Sequence, residues 1–282
     1  MSYKTLISTA ELAEQLDNPA LVIVDCRFYL ADTEQGRQLY QTAHLPGAVY
    51  AYLDDDLSGT IIAGQTSRHP LPEIETLSQT LSAWGIDSLT QVIVYDDKGG
   101  AIAARLWWML NWLGHDSVAV LDGGWPRWEQ EKRPTRSGDE SVSPKQFTPN
   151  IQTAMLADLA EVQANHAKAD YALFDSRIAA RYRGEVELLD PIAGHIPGAV
   201  NAPFPENMAD GVMLPPEQLR ARFEALLGDT PASSAVFYCG SGVTAAHNLL
   251  AIAHVGLGRA RMYAGSWSEW ITQPNPLVAT DK

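Results

Sequence analysis

Cysteine is scarce in this sequence, which has only Cys26 and Cys239 among its 282 residues. Two cysteines are too few for a disulfide scaffold or a four-cysteine zinc site, and no Cys-x-x-Cys redox pair occurs. No cluster of ligand residues indicates a metal or an organic cofactor. Apolar runs that could span a membrane are missing, as is the basic-then-apolar pattern of a signal peptide. We therefore expect a cytoplasmic protein without cofactors, which contacts no membrane and keeps its cysteines as thiols.

Positive charge is also in short supply. Lys and Arg number 20 against 34 Asp and Glu, so the formal net charge is −14. A surface this acidic repels phosphate backbones, which excludes general binding of nucleic acid but leaves room for a local basic pocket. The composition, 46% hydrophobic and 19% charged, is that of a globular protein long enough for one or two buried cores.

Four segments of the first half recur in the same order in the second half. The pairs are LVIVDCR (21–27) with YALFDSR (171–177), AHLPGAVYA (43–51) with GHIPGAVNA (194–202), VIVYDD (92–97) with AVFYCG (235–240), and GGWPRW (123–128) with GSWSEW (265–270). Their spacing indicates a duplicated domain. Between the halves, the chain is rich in serine, proline and charge, as linkers are. We predict an N-terminal domain over 1–135, a linker over 136–150 and a C-terminal domain over 151–282.

Short apolar runs and helical patterns alternate in each half. In the second half, YALFD and AVFYC are typical of strands, and the patterns over Pro216–Leu227 and Val243–Val255 are helical. Such alternation predicts an α/β fold of two tandem domains, each a parallel sheet flanked by helices on both faces. In sheets of this kind, ligands bind beyond the carboxyl ends of the strands.

Cys239 lies between a predicted strand and a helix, followed by Gly-Ser-Gly. At such a junction, backbone N–H groups and the helix dipole face the sulfur and favour the nucleophilic thiolate. A buried, inert cysteine is the alternative. The first half has Asp96 at the matching position, which indicates one active domain and one domain without a nucleophile. Cys26 matches Ser176 and has no glycine loop, so we expect a structural role for it.

The CGSGVTA loop (239–245), the PGA segments and the GSWSEW segment resemble those of the tandem rhodanese sulfurtransferases, over residues 5–275. The loop is similar to that of the 3-mercaptopyruvate sulfurtransferases, whereas thiosulfate sulfurtransferases typically carry CRKGVT. The resemblance implies two rhodanese-like domains and a ping-pong reaction. The cysteine takes sulfur from a small-molecule donor, and the resulting persulfide passes it to cyanide, a thiol or reduced thioredoxin.

The resemblance also implies catalytic roles for individual residues. Cys239 is the expected nucleophile, and the mercaptopyruvate enzymes place a Ser-His-Asp relay beside it, which matches Ser241, His69 and Asp54. Such a relay would protonate the pyruvate enolate that remains when the sulfur leaves. Asp54 begins a run of three aspartates, so the other two stay open as partners of the histidine. A loop histidine without a role is the alternative for His69.

Donor binding in this family falls to arginine and to the loop. Arg181 matches the first donor-binding arginine, but the position of the second, nine residues later, holds Asp190. Arg183 and Arg68 are the candidates to replace it, and a solvated surface charge is the alternative for Arg183. The loop residues expected to turn N–H groups toward the sulfur are Gly240, Ser241, Gly242, Val243 and Thr244.

Three other functions stay open. Thiosulfate is the close alternative donor, because the segment around Asp190 resembles that of the thiosulfate enzymes. A partner-dependent persulfide carrier needs no proton donor, so the presence of Ser241 and His69 argues against it. A phosphate or arsenate enzyme is disfavoured, because phosphatase loops place an arginine six residues after the cysteine, where this chain has Ala245.

Overall fold

The computed structural model describes residues 2–168 and 170–281, which form two compact units. Unit 1 consists of Met1–Gly59, Leu71–Gln152 and Asp210–Met213. Unit 2 consists of Thr60–Pro70, Thr153–Ala209 and Leu214–Lys282. The predicted linker, 136–150, thus belongs to unit 1, and the segment 60–70 belongs to unit 2. Each helix in the described ranges falls short of the length and apolarity that a membrane crossing requires.

Unit 1 is built on one parallel sheet. Its strands are β1 (Leu6–Ile7), β2 (Leu21–Asp25), β3 (Ala48–Tyr50), β4 (Gln91–Tyr95) and β5 (Val118–Leu121). They lie in the order β1-β5-β4-β2-β3, and all pairings are parallel. The helices are α1 (Thr9–Ala13), α2 (Gln35–Thr42), α3 (Ile74–Ala83), α4 (Ala103–Trp112) and α5 (Gly124–Gln130). All the residues of α4 are buried, so this helix lies in the core.

Unit 2 repeats this architecture. The next strands are β6 (Leu156–Ala157), β7 (Leu173–Asp175), β8 (Val200–Asn201), β9 (Met208–Ala209), β10 (Val212–Met213), β11 (Val236–Tyr238) and β12 (Arg261–Tyr263). Strand β10 lies in the segment Asp210–Met213, which belongs to unit 1. The parallel sheet of unit 2 has the strand order β6-β12-β11-β7-β8. The helices are α6 (Leu159–Asn165), α7 (Ala179–Tyr182), α8 (Pro216–Leu227), α9 (Ala245–His254) and α10 (Ser266–Trp270). Short 3₁₀ helices cover Thr153–Met155, Phe204–Asn207 and Ala232–Ser234.

The predicted fold class is confirmed, because the two sheets share one strand order and parallel pairing. Helix α8 has the predicted bounds: Pro216 lies in its first turn, and Gly228 follows its last residue with φ +54°. Helix α9 begins at Ala245 instead of Val243, because the residues before Ala245 form the loop that follows β11.

The repeated Asp-x-Arg segments form the same buried ion pair in each unit. Arg27 Nη2 lies 2.6 Å from Asp25 Oδ2, and Arg177 Nη2 lies 2.6 Å from Asp175 Oδ2. Each guanidinium also donates at 2.7 Å to the carbonyl of the residue before the repeated histidine. Each lies over the first tryptophan of the repeated Gly-x-Trp segment. The sequence repeats therefore mark a buried network that fixes the carboxyl ends of the strands.

Candidate active site

The loop after β11 contains a bend in which only glycine fits without strain. Gly242 has φ +77°, and a Cβ at this position would lie 2.2 Å from the carbonyl oxygen of Ala264. Cys239 stands at the end of β11, and Ala245 opens α9 after the bend. Cys239 is buried, with 2% of the residue exposed. This is the strand–loop–helix junction expected from the sequence.

Hydrogen bonds to the sulfur outweigh the effect of burial on the thiol of Cys239. Burial raises the pKa of a thiol, because it disfavours the charged thiolate. The donors that act against this are the Thr244 hydroxyl and the backbone N–H groups of Ser241, Ala245 and Gly242. Together they bring the pKa of Cys239 below its ordinary value of 9.0. The loop therefore favours the thiolate, which is the nucleophilic form of cysteine.

The set of donors differs in part from the predicted one. Sequence reasoning stops at Thr244 and misses Ala245, whose N–H belongs to the first turn of α9. The first N–H groups of a helix have no partner within it, and that is the signal that identifies Ala245. Thr244 acts through its hydroxyl, where a backbone N–H was expected. The backbone donors assigned to Gly240 and Val243 stay predictions.

The matching loop of unit 1 surrounds a carboxyl side chain with backbone N–H donors. Asp96 follows β4 as Cys239 follows β11, and its carboxylate is fully buried. The backbone N–H groups that donate to it, at 2.7–2.8 Å, belong to Lys98, Gly100, Ile102 and Ala103. A loop of this design thus directs several backbone N–H donors toward the side chain that occupies the position of the sulfur.

Cys26 lies in an environment of the opposite kind. The residue is fully buried at the end of β2. Burial raises its pKa well above 9.0, and the negative charges of Asp25, Asp96 and Asp56 raise it further. A thiol held neutral in this way is a poor nucleophile, so the structure agrees with the structural role expected for Cys26.

The backbone of Cys239 is held by α10. Ser266 Oγ accepts the N–H of Cys239 at 3.1 Å, and the N–H of Trp267 donates to the carbonyl of Cys239 at 3.0 Å. Ser266 is fully buried and has φ +56°. Sequence reasoning misses this residue. The signal lies in the repeat, where the glycine of GGWPRW is replaced by a serine in GSWSEW.

His69 and Ser241 lie side by side in unit 2. Nδ1 of His69 is 2.7 Å from Oγ of Ser241, and the two residues are 4% and 6% exposed. The segment that carries the histidine is anchored by the N–H of Arg68, which donates to Oγ of Ser268 at 3.1 Å. The structure thus brings together the first two residues of the predicted relay, two positions from the cysteine.

Asp54 lies in unit 1, in the turn that follows β3. Asp56 Oδ2 accepts the N–H of Tyr52 at 2.7 Å, so this carboxylate closes the turn. Asp55 is exposed, whereas Asp54 is half-buried, and burial with the charge of Asp55 raises the pKa of Asp54. The role of Asp54, and the choice among the three aspartates, stay predictions.

Two arginines lie at the loop residue that follows the nucleophile. A Cβ at Gly240 would lie 3.0 Å from Nη2 of Arg68 and 3.4 Å from Nη1 of Arg181. Arg183 instead pairs with Glu185 at 2.8 Å, and both side chains are exposed. Of the two candidates for the second arginine, the structure therefore brings Arg68 to the loop.

Comparison with known proteins extends this picture to the whole chain. The family profile described as rhodanese-like domain matches residues 8–131 and again 158–273. The chain is 48% identical to a probable 3-mercaptopyruvate sulfurtransferase of Pseudomonas aeruginosa, over 99% of both chains. It is 39% identical to a putative thiosulfate sulfurtransferase of Mycobacterium tuberculosis, over 98% of this chain and 96% of that one.

Solved structures agree with the sequence comparison. The 3-mercaptopyruvate sulfurtransferase from Leishmania major superposes with a TM-score of 0.83 at 33% identity, over 95% of this chain and 74% of that chain. The similarity thus covers both units as well as the loop after β11. The chain belongs to the rhodanese-like family, with one such domain in each half.

Proposed function

We propose that the chain is a sulfurtransferase that moves sulfur from 3-mercaptopyruvate to a thiophilic acceptor through a persulfide on Cys239. Two features support this function. The loop lowers the pKa of the buried thiol, and the relatives are sulfurtransferases by name. The observation that carries the choice of donor is the contact of 2.7 Å between His69 Nδ1 and Ser241 Oγ.

The first half-reaction transfers one sulfur atom. The thiolate of Cys239 attacks the sulfur of the donor, the sulfur–carbon bond breaks, and its electron pair leaves with the carbon as the enolate of pyruvate. The cysteine is then a persulfide. The N–H groups that stabilise the thiolate also face the anionic persulfide, so the loop after β11 stabilises the sulfur both before and after the transfer.

The pyruvate enolate needs a proton at carbon, which the relay supplies. With the imidazole N–H donating to Oγ, the hydroxyl of Ser241 is polarised toward releasing its own proton. Thiosulfate places no such demand, since its leaving group is sulfite. The pair of His69 and Ser241 therefore favours a donor whose leaving group is a carbanion.

The second half-reaction regenerates the enzyme. An acceptor nucleophile attacks the outer sulfur, the sulfur–sulfur bond breaks, and the thiolate of Cys239 returns; with cyanide the product is thiocyanate. Small thiols and reduced thioredoxin are the other acceptors in this proposal. A cytoplasmic location belongs to the same proposal, and the free thiols of both cysteines are consistent with a reducing compartment.

The test is the steady-state kcat/KM with 3-mercaptopyruvate and with thiosulfate, with cyanide as the acceptor. Preference for mercaptopyruvate is the expected result. Preference for thiosulfate would overturn the assignment of the relay, because that donor leaves no enolate. Turnover of neither donor would point to a persulfide carrier that works with a protein partner.

A further inference from the structure

A buried carboxylate bridges the two arginines of the loop. Asp190 Oδ1 pairs with Nη1 of Arg68, and Asp190 Oδ2 accepts from Nη2 of Arg181 at 3.2 Å. The Asp190 side chain is only 3% exposed. Both guanidinium groups are therefore held over Gly240 by one residue, which lies at the position where an arginine was expected from the resemblance.

A second buried carboxylate completes the charge balance of this cluster. Glu187 accepts from Nε of Arg181 at 3.0 Å and from Nη2 at 2.9 Å, and it is also 3% exposed. The neighbouring Arg177 is paired with Asp175 at 2.6 Å and lies 3.4 Å from Glu187. The charges of Arg68 and Arg181 are thus matched by those of Asp190 and Glu187, and the formal charge of these four side chains is zero.

Arg68 keeps hydrogen-bonding capacity for a ligand. Within the described part of the chain, its Nε is buried and has no hydrogen-bond partner. Arg181, in contrast, has Nε and Nη2 engaged by Glu187. A guanidinium has five N–H donors, so Arg68 can bind a carboxylate oxygen while it still pairs with Asp190.

We propose that Asp190 is a positioning residue that holds Arg68 and Arg181 over the sulfur loop and restricts the donor to one negative charge. This inference rests on the proposed sulfurtransferase function and deepens it. The thiol form of 3-mercaptopyruvate carries one negative charge on its carboxylate, whereas thiosulfate is a dianion.

The restriction follows from electrostatics at a mostly buried site. The four side chains are neutral together, so the complex with a donor carries the charge of the donor. A donor with one negative charge leaves one negative charge unbalanced, and thiosulfate leaves two. An unbalanced charge is costly away from water, and repulsion from the Asp190 carboxylate doubles when the charge of the donor doubles. Removal of the Asp190 charge must therefore help thiosulfate more than mercaptopyruvate.

The experiment compares Asp190→Asn with the wild type, using both donors and cyanide. The asparagine keeps the shape of the side chain and removes its charge. We expect the ratio of kcat/KM for thiosulfate to that for mercaptopyruvate to rise about tenfold, which is about 1.4 kcal/mol, mainly through KM for thiosulfate. Asp190→Glu should restore the ratio of the wild type. Glu185→Gln is the matched control, since it makes the same charge change at the exposed pair with Arg183.

Arg68→Gln is a second variant with the opposite prediction. It removes a positive charge, so the ratio should fall, and KM for mercaptopyruvate should rise. If the cluster had only a structural role, Asp190→Asn and Arg68→Gln would not shift the ratio of the two kcat/KM values in opposite directions. An unchanged ratio in Asp190→Asn, or in Arg68→Gln if the first variant does not fold, would overturn the inference. Wild-type protein that turns over neither donor would instead overturn the proposed function.

Discussion

Ser266, whose backbone is strained, hydrogen-bonds through its hydroxyl to the backbone of the nucleophile Cys239. Its Oγ accepts the N–H of Cys239 at 3.1 Å and donates to the carbonyl of Tyr263 at 3.0 Å. Its φ of +56° costs a residue with a Cβ about 1 kcal/mol or more. Unit 1 has Gly124 at the matching position, with φ +51°, and a Cβ there would lie 2.2 Å from the carbonyl oxygen of Asp96. The strained residue thus occurs in the unit that holds the cysteine, where its hydroxyl satisfies a buried N–H.

Substitution of Ser266 separates the strain from the hydrogen bond. Ser266→Ala keeps the strain and leaves the N–H of Cys239 without its partner, which should lower the free energy of unfolding by about 1–3 kcal/mol. Ser266→Gly loses the same bond but relieves the strain, so it should be more stable than the alanine variant by about 1 kcal/mol. Urea unfolding measures both differences. An alanine variant as stable as the wild type would show that the bond contributes nothing.

The reactivity of Cys239 should follow pH with a midpoint below that of an ordinary cysteine. Because the pKa of its thiol lies below 9.0, a larger fraction of Cys239 than of an ordinary cysteine is thiolate at the same pH. Thr244→Val removes one donor to the sulfur, so the pKa should rise and the midpoint should move to higher pH. The rate of alkylation by iodoacetamide, followed from pH 6 to pH 10, measures this shift.

Cys239→Ser is the control for the alkylation experiment. The native variant should react very slowly, because Cys26 is buried and its pKa is raised. Equal midpoints for the wild type and Thr244→Val would contradict a role of the hydroxyl in stabilising the thiolate.

Loss of Ser241 should affect one step of one reaction. Ser241→Ala removes the proton source for the enolate, so kcat with 3-mercaptopyruvate should fall by about 100-fold or more. Turnover of thiosulfate and the discharge of a preformed persulfide by cyanide need no proton at carbon, so both should change far less. Stopped-flow measurement of each half-reaction separates the steps. Equal losses with both donors would show that Ser241 supports the loop and does not supply the proton.

The sequence was sufficient for the fold because the duplication repeats its own structural residues. The Asp-x-Arg, Pro-Gly-Ala and Gly-x-Trp segments recur because each unit needs the same buried ion pair and its stacked tryptophan. The predicted helix Pro216–Leu227 is confirmed because proline and glycine mark its two ends locally.

The site was less accessible to sequence reasoning where distant segments meet. Cys239 is identified by its neighbours in the chain, but its bond to Ser266 joins residues that are far apart in the sequence. The choice between Arg68 and Arg183 as the second arginine also depends on a contact between residues that are far apart in the sequence. Arg183 is close to Arg181 in sequence, whereas Arg68 reaches Gly240 only because the segment 60–70 folds into unit 2.

Asp96 provides a test of this loop design that does not involve catalysis. Asp96→Asn replaces one acceptor oxygen with an NH₂ group, so buried N–H groups of the unit 1 loop lose their partner. We expect a loss of about 1–3 kcal/mol in the free energy of unfolding, measured with urea. Asp116→Asn makes the same charge change in an exposed pair with Lys4 and should stay within about 0.5 kcal/mol of the wild type. If Asp96→Asn were as stable as this control, the N–H groups of the loop would not need a carboxyl side chain as their acceptor. The loop would then also fail to explain why the matching cysteine of unit 2 favours its thiolate.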